Sequence, residues 1–382
     1  MYKGHRIIDG HVHYTLDIDP EYYISLLDAT GTDMANIAVI RHGDRVSCTP
    51  EALVLKHMRP DRFYVSGSLD PSLYYRGGED MGAGLAEHAR RALACGCDGI
   101  KLLEGKPQLR RALPIPDFDA PCWEAFWSFA EEEQIPILWH VNDPECFWDA
   151  SAVPVWAKAQ GWLYDGSYVN NEAQYAQVQR VLERHGGLRV TLAHFYFMSA
   201  RLPRLGELLA RFPKLMTDLT PGIEMYENFS AAQEARRFFE DFGDRIIYGT
   251  DTGSRFVYNA PGRPFNEREN LRRPELVRDF LFESGPLPVS ADGDFIVGRP
   301  DFDMRCLGLS GDRLDAILSG NFLRFVGGGP RPVDVGRTLE ECARLRAIPT
   351  LTAEGYPTLR PDVTGLTLAE KYFSGVEKLE EL

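Results

Sequence analysis

Residues 6–13 read RIIDGHVH, a short apolar, β-branched run that ends in His11-Val12-His13. On a strand, side chains at i and i+2 point to the same side, so two imidazoles converge at the end of this one. Such a pair has two readings: a metal site, or two histidines satisfied by backbone partners. Seven runs of similar character follow, at 36–41 (NIAVIR), 63–69 (FYVSGSL), 97–104 (CDGIKLLE), 135–141 (IPILWHV), 189–196 (RVTLAHFY), 215–220 (LMTDLT) and 245–251 (RIIYGTD). Short, mostly apolar runs suit strands covered on both faces, as in a parallel sheet. Between them lie segments of helical period at 121–134, 173–185, 204–212 and 231–242; in the first, Trp123, Phe126, Trp127 and Ala130 fall at i, i+3, i+4 and i+7. Eight strand–helix alternations predict an α/β chain folded as a (β/α)8 TIM barrel. The competing doubly wound sheet usually shows a Gly-rich phosphate turn after its first strand, where this chain has His-Val-His.

Two stretches exceed what a minimal barrel needs. One is an insert at 142–172, after strand five, carrying Trp148, Trp156 and Trp162; the other is a long segment at 252–311, after strand eight, rich in Arg, Pro and Gly. Both follow strands, on the face where barrel active sites lie. A helix over 312–326 is expected to close the barrel, which gives a barrel domain over 1–329 and a C-terminal helical extension over 330–382. The extension is expected to dock on the barrel or on a neighbouring subunit, and the latter makes a homodimer an expectation.

The composition bounds the function. The 382 residues are 44% hydrophobic and 26% charged, as in folded globular domains. Lys and Arg number 42 against 56 Asp and Glu, a net charge of −14, which argues against nucleic acid and anionic membranes as partners. A small molecule is the expected partner, an acid included, because a pocket can be basic on an acidic protein. The seven cysteines show no Cys-x-x-Cys spacing and are read as reduced thiols. No apolar leader and no apolar run of about 18 residues occurs, so a cytoplasmic location is expected.

The chemistry gathers at strand ends. Strand five ends in Trp139-His140-Val141, strand six in Ala193-His194-Phe195, and strand eight in Gly249-Thr250-Asp251. Of nine histidines, four occupy these positions or the first strand. Imidazoles with a carboxylate form an N/O donor set suited to zinc, and also to manganese or iron. The remaining histidines, His5, His42, His57, His88 and His185, lie in turns or helical segments and are read as solvated or structural.

In this order, IIDGHVH, the AHF of 193–195, YGTD of 248–251 and GNFLRFVG of 320–327 resemble the amidohydrolase superfamily, and within it the amidohydrolase-2 branch. That branch includes aminocarboxymuconate-semialdehyde decarboxylase and related aromatic-acid decarboxylases and hydrolases. The resemblance spans about residues 6 to 327. It implies one divalent metal, zinc first, with His11, His13, His140 and Asp251 as ligands. It implies that Asp251 also shuttles a proton. His194 would polarise the substrate or stabilise charge, or bind a second ion as in two-metal members. Some members carry a carboxylated lysine or a glutamate on strand four, which directs attention to Lys101 and Glu104. Residues three apart on a regular strand face opposite sides, so only a bulge would let both point inward.

Substrate contacts are sought in Arg41 and Arg255, which could grip a carboxylate, in Glu104 or Lys106 lining the mouth, and in Phe147 and Trp148 as an aromatic wall. The leading expectation is a metal-dependent hydrolase acting on a small carboxylate-bearing or aromatic substrate through metal-activated water. The alternative is a metal-dependent, non-oxidative decarboxylase of an aromatic or dienoic acid. A metal-binding protein without turnover is the third reading.

Overall fold

The computed structural model describes residues 1–41, 45–220, 232–253, 267–287 and 304–375. All eight predicted strands are present and pair in parallel, in chain order: β1 (Ile8–Val12), β2 (Met34–Ala38), β3 (Phe63–Ser68), β4 (Gly99–Gly105), β5 (Pro136–Val141), β6 (Arg189–Leu192), β7 (Leu215–Asp218) and β8 (Ile246–Ile247). Helices alternate with them, as a parallel sheet covered on its outer face requires. Capping residues mark several starts: Asp19 accepts from the Tyr22 amide before helix Pro20–Ala29, and Asn170 from Ala173 before helix Asn171–Arg184.

The circle closes between β8 and β1. The Gly10 amide donates to Tyr248 O at 2.8 Å, His13 to Thr252 O at 2.7 Å, and the Asp251 amide to His11 O at 2.9 Å. This seam fixes the main chains of His11, His13 and Asp251 against one another before any side chain is considered. At the opposite end, helix Asn321–Val326 plugs the barrel. Its Phe322 and Phe325 pack on Ile8, Met34, Tyr64, Met216 and Ile247 from the strand starts, and Asn321 donates to the carbonyls of Gly243 and Ile246. The C-terminal ends of the strands are left to form the site.

The segment after β8 differs from the loop expected there. Its described residues contain helix Glu267–Phe282 and an antiparallel pair, β9 (Ser284–Leu287) with β10 (Met304–Leu307). Leu276, Val277, Phe280 and Leu281 are buried at helical spacing, a pattern hidden in the sequence by the surrounding arginines and by Pro274 inside the helix. The 142–172 insert folds on its own apolar cluster of Phe147, Ala157 and Tyr164, with Trp148, Trp162 and Tyr168 against it. After the plug, helices Val335–Arg346 and Thr364–Phe373 pack on helices Met81–Cys95 and Thr49–Met58, burying Cys342, Leu345, Leu366 and Ala369 with Val46 and Val54. Among the described residues no helix is long and apolar enough to cross a membrane.

Candidate metal centre

β1 delivers His11 and His13 to the mouth. The Nδ1 of His11 lies 2.9 Å from Asp218 Oδ2 at the end of β7. An ionised carboxylate only accepts, so Nδ1 carries the proton and Nε2 presents its lone pair to the interior, the form in which histidine binds a metal. That Nε2 is 3.1 Å from the Lys101 ammonium and 3.8 Å from Asp251 Oδ1. Burial, aided by Lys101, pushes the His11 imidazole down to about 4 against the pull of Asp218, which keeps it neutral. Burial alone would raise Asp218, but His11 and the Thr220 hydroxyl hold it below the usual carboxylate range.

His13 is flanked by two acceptors. Its Nδ1 lies 2.6 Å from the Ala38 carbonyl and its Nε2 2.9 Å from Asp251 Oδ1. A neutral imidazole donates through one nitrogen only. With Nδ1 turned to the Ala38 carbonyl, Nε2 and Asp251 Oδ1 are left 2.9 Å apart, a gap bridged by a proton or by a metal cation. Asp251, at φ +54°, is further held by Arg273, whose Nη1 reaches its carbonyl at 2.9 Å and its Oδ2 at 3.3 Å. Burial opposes the charge on Asp251, yet the hydrogen bond with His13 holds it well below the ordinary range.

His194 does not sit on a strand as the run at 189–196 suggested. β6 stops at Leu192, and His194, Phe195, Tyr196 and Phe197 take φ of +58°, +54°, +57° and +51°, four successive residues in the left-handed region. Each such non-glycine residue costs about 1–2 kcal/mol, and strain of this kind persists where the surroundings over-determine it. Here the His194 amide donates to Asp218 Oδ1 at 2.8 Å, a bond that the turn makes available. The Thr220 hydroxyl donates to the same Oδ1 at 2.6 Å, so its oxygen accepts from His194 Nδ1 at 2.8 Å. The Nε2 of His194 therefore also carries a lone pair. Burial holds this imidazole well below its ordinary pKa. Neutral and acceptor-facing, His194 has the form of a ligand rather than that of a hydrogen-bond donor to an oxyanion.

The ligand atoms of His11, His194 and Asp251 all lie within 4.8 Å of one another. His13 joins them through Asp251. His140 packs against His194 ring to ring, with centroids 4.8 Å apart, and its Nε2 lies 3.3 Å from Asp143 Oδ1; neither His13 nor His140 belongs to the group whose ligand atoms converge within 4.8 Å. Half-buried Phe197 stacks on His194 at 5.1 Å and meets His140 edge-on at 5.3 Å. Neutral imidazoles around an ionised carboxylate fit a divalent ion of the zinc, manganese or iron type.

Lys101 and Glu104 both face the mouth, because the β4–β5 register shifts between Leu102 and Gly105 and supplies the bulge. With Arg41 and Ser68 they line a cavity of about 20 Å³, room for about one water. Burial pulls the Lys101 amine down to about 8 and pushes the Glu104 carboxyl up. Glu104 Oε1 accepts from Tyr74 at 2.9 Å, and its Oε2 has no hydrogen-bond partner among the described residues.

Trp148 packs edge-on against Tyr164 at 4.8 Å within the insert's own cluster, so its link to the histidines runs through that tyrosine. Arg255 lies outside the described residues, as does His42. Four other histidines hold local partners: His5 on Asp315, His57 on Tyr372, His88 on the Ser68 carbonyl and His185 on Glu131. Sequence reasoning missed Asp218, Thr220, Asp143, Arg273 and Phe197. Asp218 ends a strand, where barrels keep functional groups, and Asp143 stands three residues past His140; both positions could have been flagged.

Comparison with known proteins agrees with this architecture. No curated protein matches the chain. Among solved structures, an uncharacterised TIM-barrel protein of Bordetella bronchiseptica is 13% identical, with 84% of this chain and 98% of that one covered, at a TM-score of 0.53. A 5-carboxyvanillate decarboxylase of Novosphingobium aromaticivorans, complexed with manganese and 4-hydroxy-3-methoxy-5-nitrobenzoic acid, is 13% identical over 85% and 97% of the two chains at 0.51. A protein described as a probable 2-pyrone-4,6-dicarboxylic acid hydrolase of Acinetobacter baumannii is 12% identical over 84% and 98% at 0.45. At these identities the first two likenesses are of fold. The amidohydrolase family model, of the amidohydrolase-2 type, matches residues 8–327, and the chain belongs to that family.

Proposed function

We propose that the protein is a metal-dependent hydrolase of a small, carboxylate-bearing or aromatic substrate. The observation that carries the reading is the convergence of the ligand atoms of His11, His194 and Asp251 within 4.8 Å, with His13 Nε2 2.9 Å from Asp251 Oδ1. His11, His13, His140 and Asp251 would hold the ion, with His194 beside them. Zinc is the first choice for such a donor set, and manganese, the ion in the decarboxylase structure, the second. When bound, the ion supplies Lewis acidity and makes water a better nucleophile near neutral pH.

The protein groups divide the remaining work. Asp251 takes the proton from the attacking water and returns it to the leaving group. Arg273 and His13 fix its orientation. Lys101, still largely protonated at neutral pH, is the cation beside His11 that steadies negative charge building on the attacked oxygen or on a substrate carboxylate. Arg41 and Glu104 border the same cavity as Lys101 and are the candidate substrate contacts. The test is metal analysis of the purified chain with a panel of lactones, esters and amides bearing a carboxylate. Hydrolysis should be lost in Asp251→Asn; full activity in a chelator-stripped preparation would refute the reading.

One observation favours a second reaction. The half-exposed Phe197 ring stacked on His194 offers a flat apolar surface for an aromatic ring. An aromatic acid lying there would be set for non-oxidative decarboxylation, with Asp251 relaying a proton from solvent to the ring carbon as carbon dioxide leaves. Carbon dioxide release from hydroxylated benzoates, with no hydrolysis of the panel above, would select this reaction instead.

A further inference from the structure

The 142–172 insert is tied to the barrel mouth at one buried point. Asp143 accepts from Lys106 Nζ at 2.8 Å and 2.7 Å, one bond to each carboxylate oxygen. Its Oδ2 also accepts a short hydrogen bond from the Tyr164 hydroxyl, which comes from the far side of the insert. Its Oδ1 lies 3.3 Å from His140 Nε2. Lys106 in turn sits 4.3 Å from the centre of the Trp162 ring, and Trp162 donates to Gln108 at 3.0 Å. Where the insert meets the following helix, Gln174 donates to Asn142 Oδ1 at 2.7 Å and Asn142 to the Asn171 carbonyl at 3.1 Å. One carboxylate thus joins the end of β5, the loop after β4 and the folded insert.

We propose that Asp143 is a positioning residue for His140: it fixes the ring's tautomer and plane, and the folded insert, through Tyr164, fixes Asp143. The logic is that of hydrogen-bond inventory. A carboxylate already bonded to an ammonium only accepts, so His140 must donate Nε2–H to it. That leaves the Nδ1 lone pair as the one with which His140 coordinates an ion beside His194. The insert is then a component of the site rather than surface decoration, because an insert that unfolds releases Asp143 and, with it, the tautomer. The role of His140 as a ligand rests on the metal-site reading above; the tautomer does not.

The test uses the full chain, 15N-labelled on histidine, with His140→Gln to assign the ring signals. The wild type should show Nε2–H at His140. Asp143→Asn is nearly isosteric and keeps an oxygen for Lys106 and Tyr164, but it turns an amide N–H towards Nε2. It should invert the tautomer and weaken Zn2+ binding, measured by chelator competition, by about 10–100-fold, as loss of an outer-shell partner does. Tyr164→Phe removes the far anchor but leaves the Asp143–His140 bond. It should weaken Zn2+ less and speed proteolytic cleavage within 149–163. An Nδ1–H signal in the wild type, or an Asp143→Asn chain with unchanged tautomer and affinity, overturns the proposal. If Asp143→Asn does not fold, the wild-type tautomer and Tyr164→Phe decide. A wild type that shows Nε2–H yet takes up no Zn2+ refutes the metal reading while the positioning role stands.

Discussion

Gly253 stands at the β1–β8 seam, and replacing it with alanine tests whether that seam sets the site. A methyl built there would lie 2.6 Å from His13 Cβ, 3.1 Å from its carbonyl oxygen and 3.2 Å from its Cα. These atoms belong to the main chain or its first side-chain carbon, so no flexible end can yield. Carbon contacts are comfortable at about 3.5–4 Å, so the seam must open by about 1 Å. His13 has little freedom to do so: its amide is bonded to Thr252 O at 2.7 Å, its Nδ1 to Ala38 O at 2.6 Å, and its Nε2 faces Asp251 at 2.9 Å. Overpacking costs about 1–3 kcal/mol, and loss of one of these bonds adds about 1 kcal/mol, so Gly253→Ala should lose about 2–4 kcal/mol of stability. A 1 Å displacement at a catalytic constellation costs about 100-fold in rate, and Zn2+ affinity should fall with it. The assays are urea unfolding and Zn2+ titration, with Gly328→Ala as the control, since a methyl at that position meets nothing within 4 Å. Wild-type stability and affinity in Gly253→Ala would refute the claim that the seam holds His13 in place.

The remaining predictions concern a carboxylate behind His11, the ion itself and a buried carboxyl of the C-terminal helices. Asp218→Asn puts an amide against His11 Nδ1 while its oxygen can keep the bonds to His194 and Thr220; it should lower Zn2+ affinity about 10–100-fold with the fold intact, and unchanged affinity would exclude the role given to Asp218. Removing metal with a chelator should lower the melting temperature, and free Zn2+ or Mn2+ at a thousand times its dissociation constant should restore about 4 kcal/mol; a melt indifferent to both would speak against a resident ion. Glu341 is the pH probe. Burial would raise it, but His88 and Arg344 hold it down at about 2, below its ordinary 4.5. A depressed carboxyl contributes stability that is present above about pH 4.5 and lost as pH falls towards 2, here up to about 3 kcal/mol. The stability gap between wild type and Glu341→Gln, read by urea unfolding, should therefore be widest near pH 6 and close towards pH 2.

The barrel was legible because its signal is repeated eight times and each repeat obeys the same local rule. Apolar β-branched runs separated by helical periods leave few alternatives, and β1 to β8 fall within or beside the predicted runs. The helix Glu267–Phe282 was not legible, because its buried face of Leu276, Val277, Phe280 and Leu281 is diluted by arginine and interrupted by Pro274. One of those arginines is Arg273, which reaches back to Asp251 across 22 residues of sequence. A long-range contact of that kind leaves no periodic trace in either partner.

The site was legible in its first layer and opaque in its second, for one physical reason. His11, His13, His140, His194 and Asp251 are the residues that would ligate an ion in the function proposed above, and their positions at or just past strand ends are local facts. Asp218 and Asp143 act only by choosing which nitrogen of a neighbouring ring bears the proton, and that choice exists only once the strands are closed. The turn at His194 shows how far closure overrides local rules. Alternation along a strand would aim the His194 ring by parity, yet four left-handed residues abandon the strand at Leu192. In exchange, Asp218 Oδ1 gathers the His194 amide and the Thr220 hydroxyl while Oδ2 holds His11. One carboxylate thereby sets two imidazoles, one directly and one through Thr220, so that both turn a lone pair towards Asp251. The strain of the turn is thus the structural counterpart of the donor set: relaxing His194 onto a regular strand would free the backbone but strand its amide and leave its tautomer unspecified.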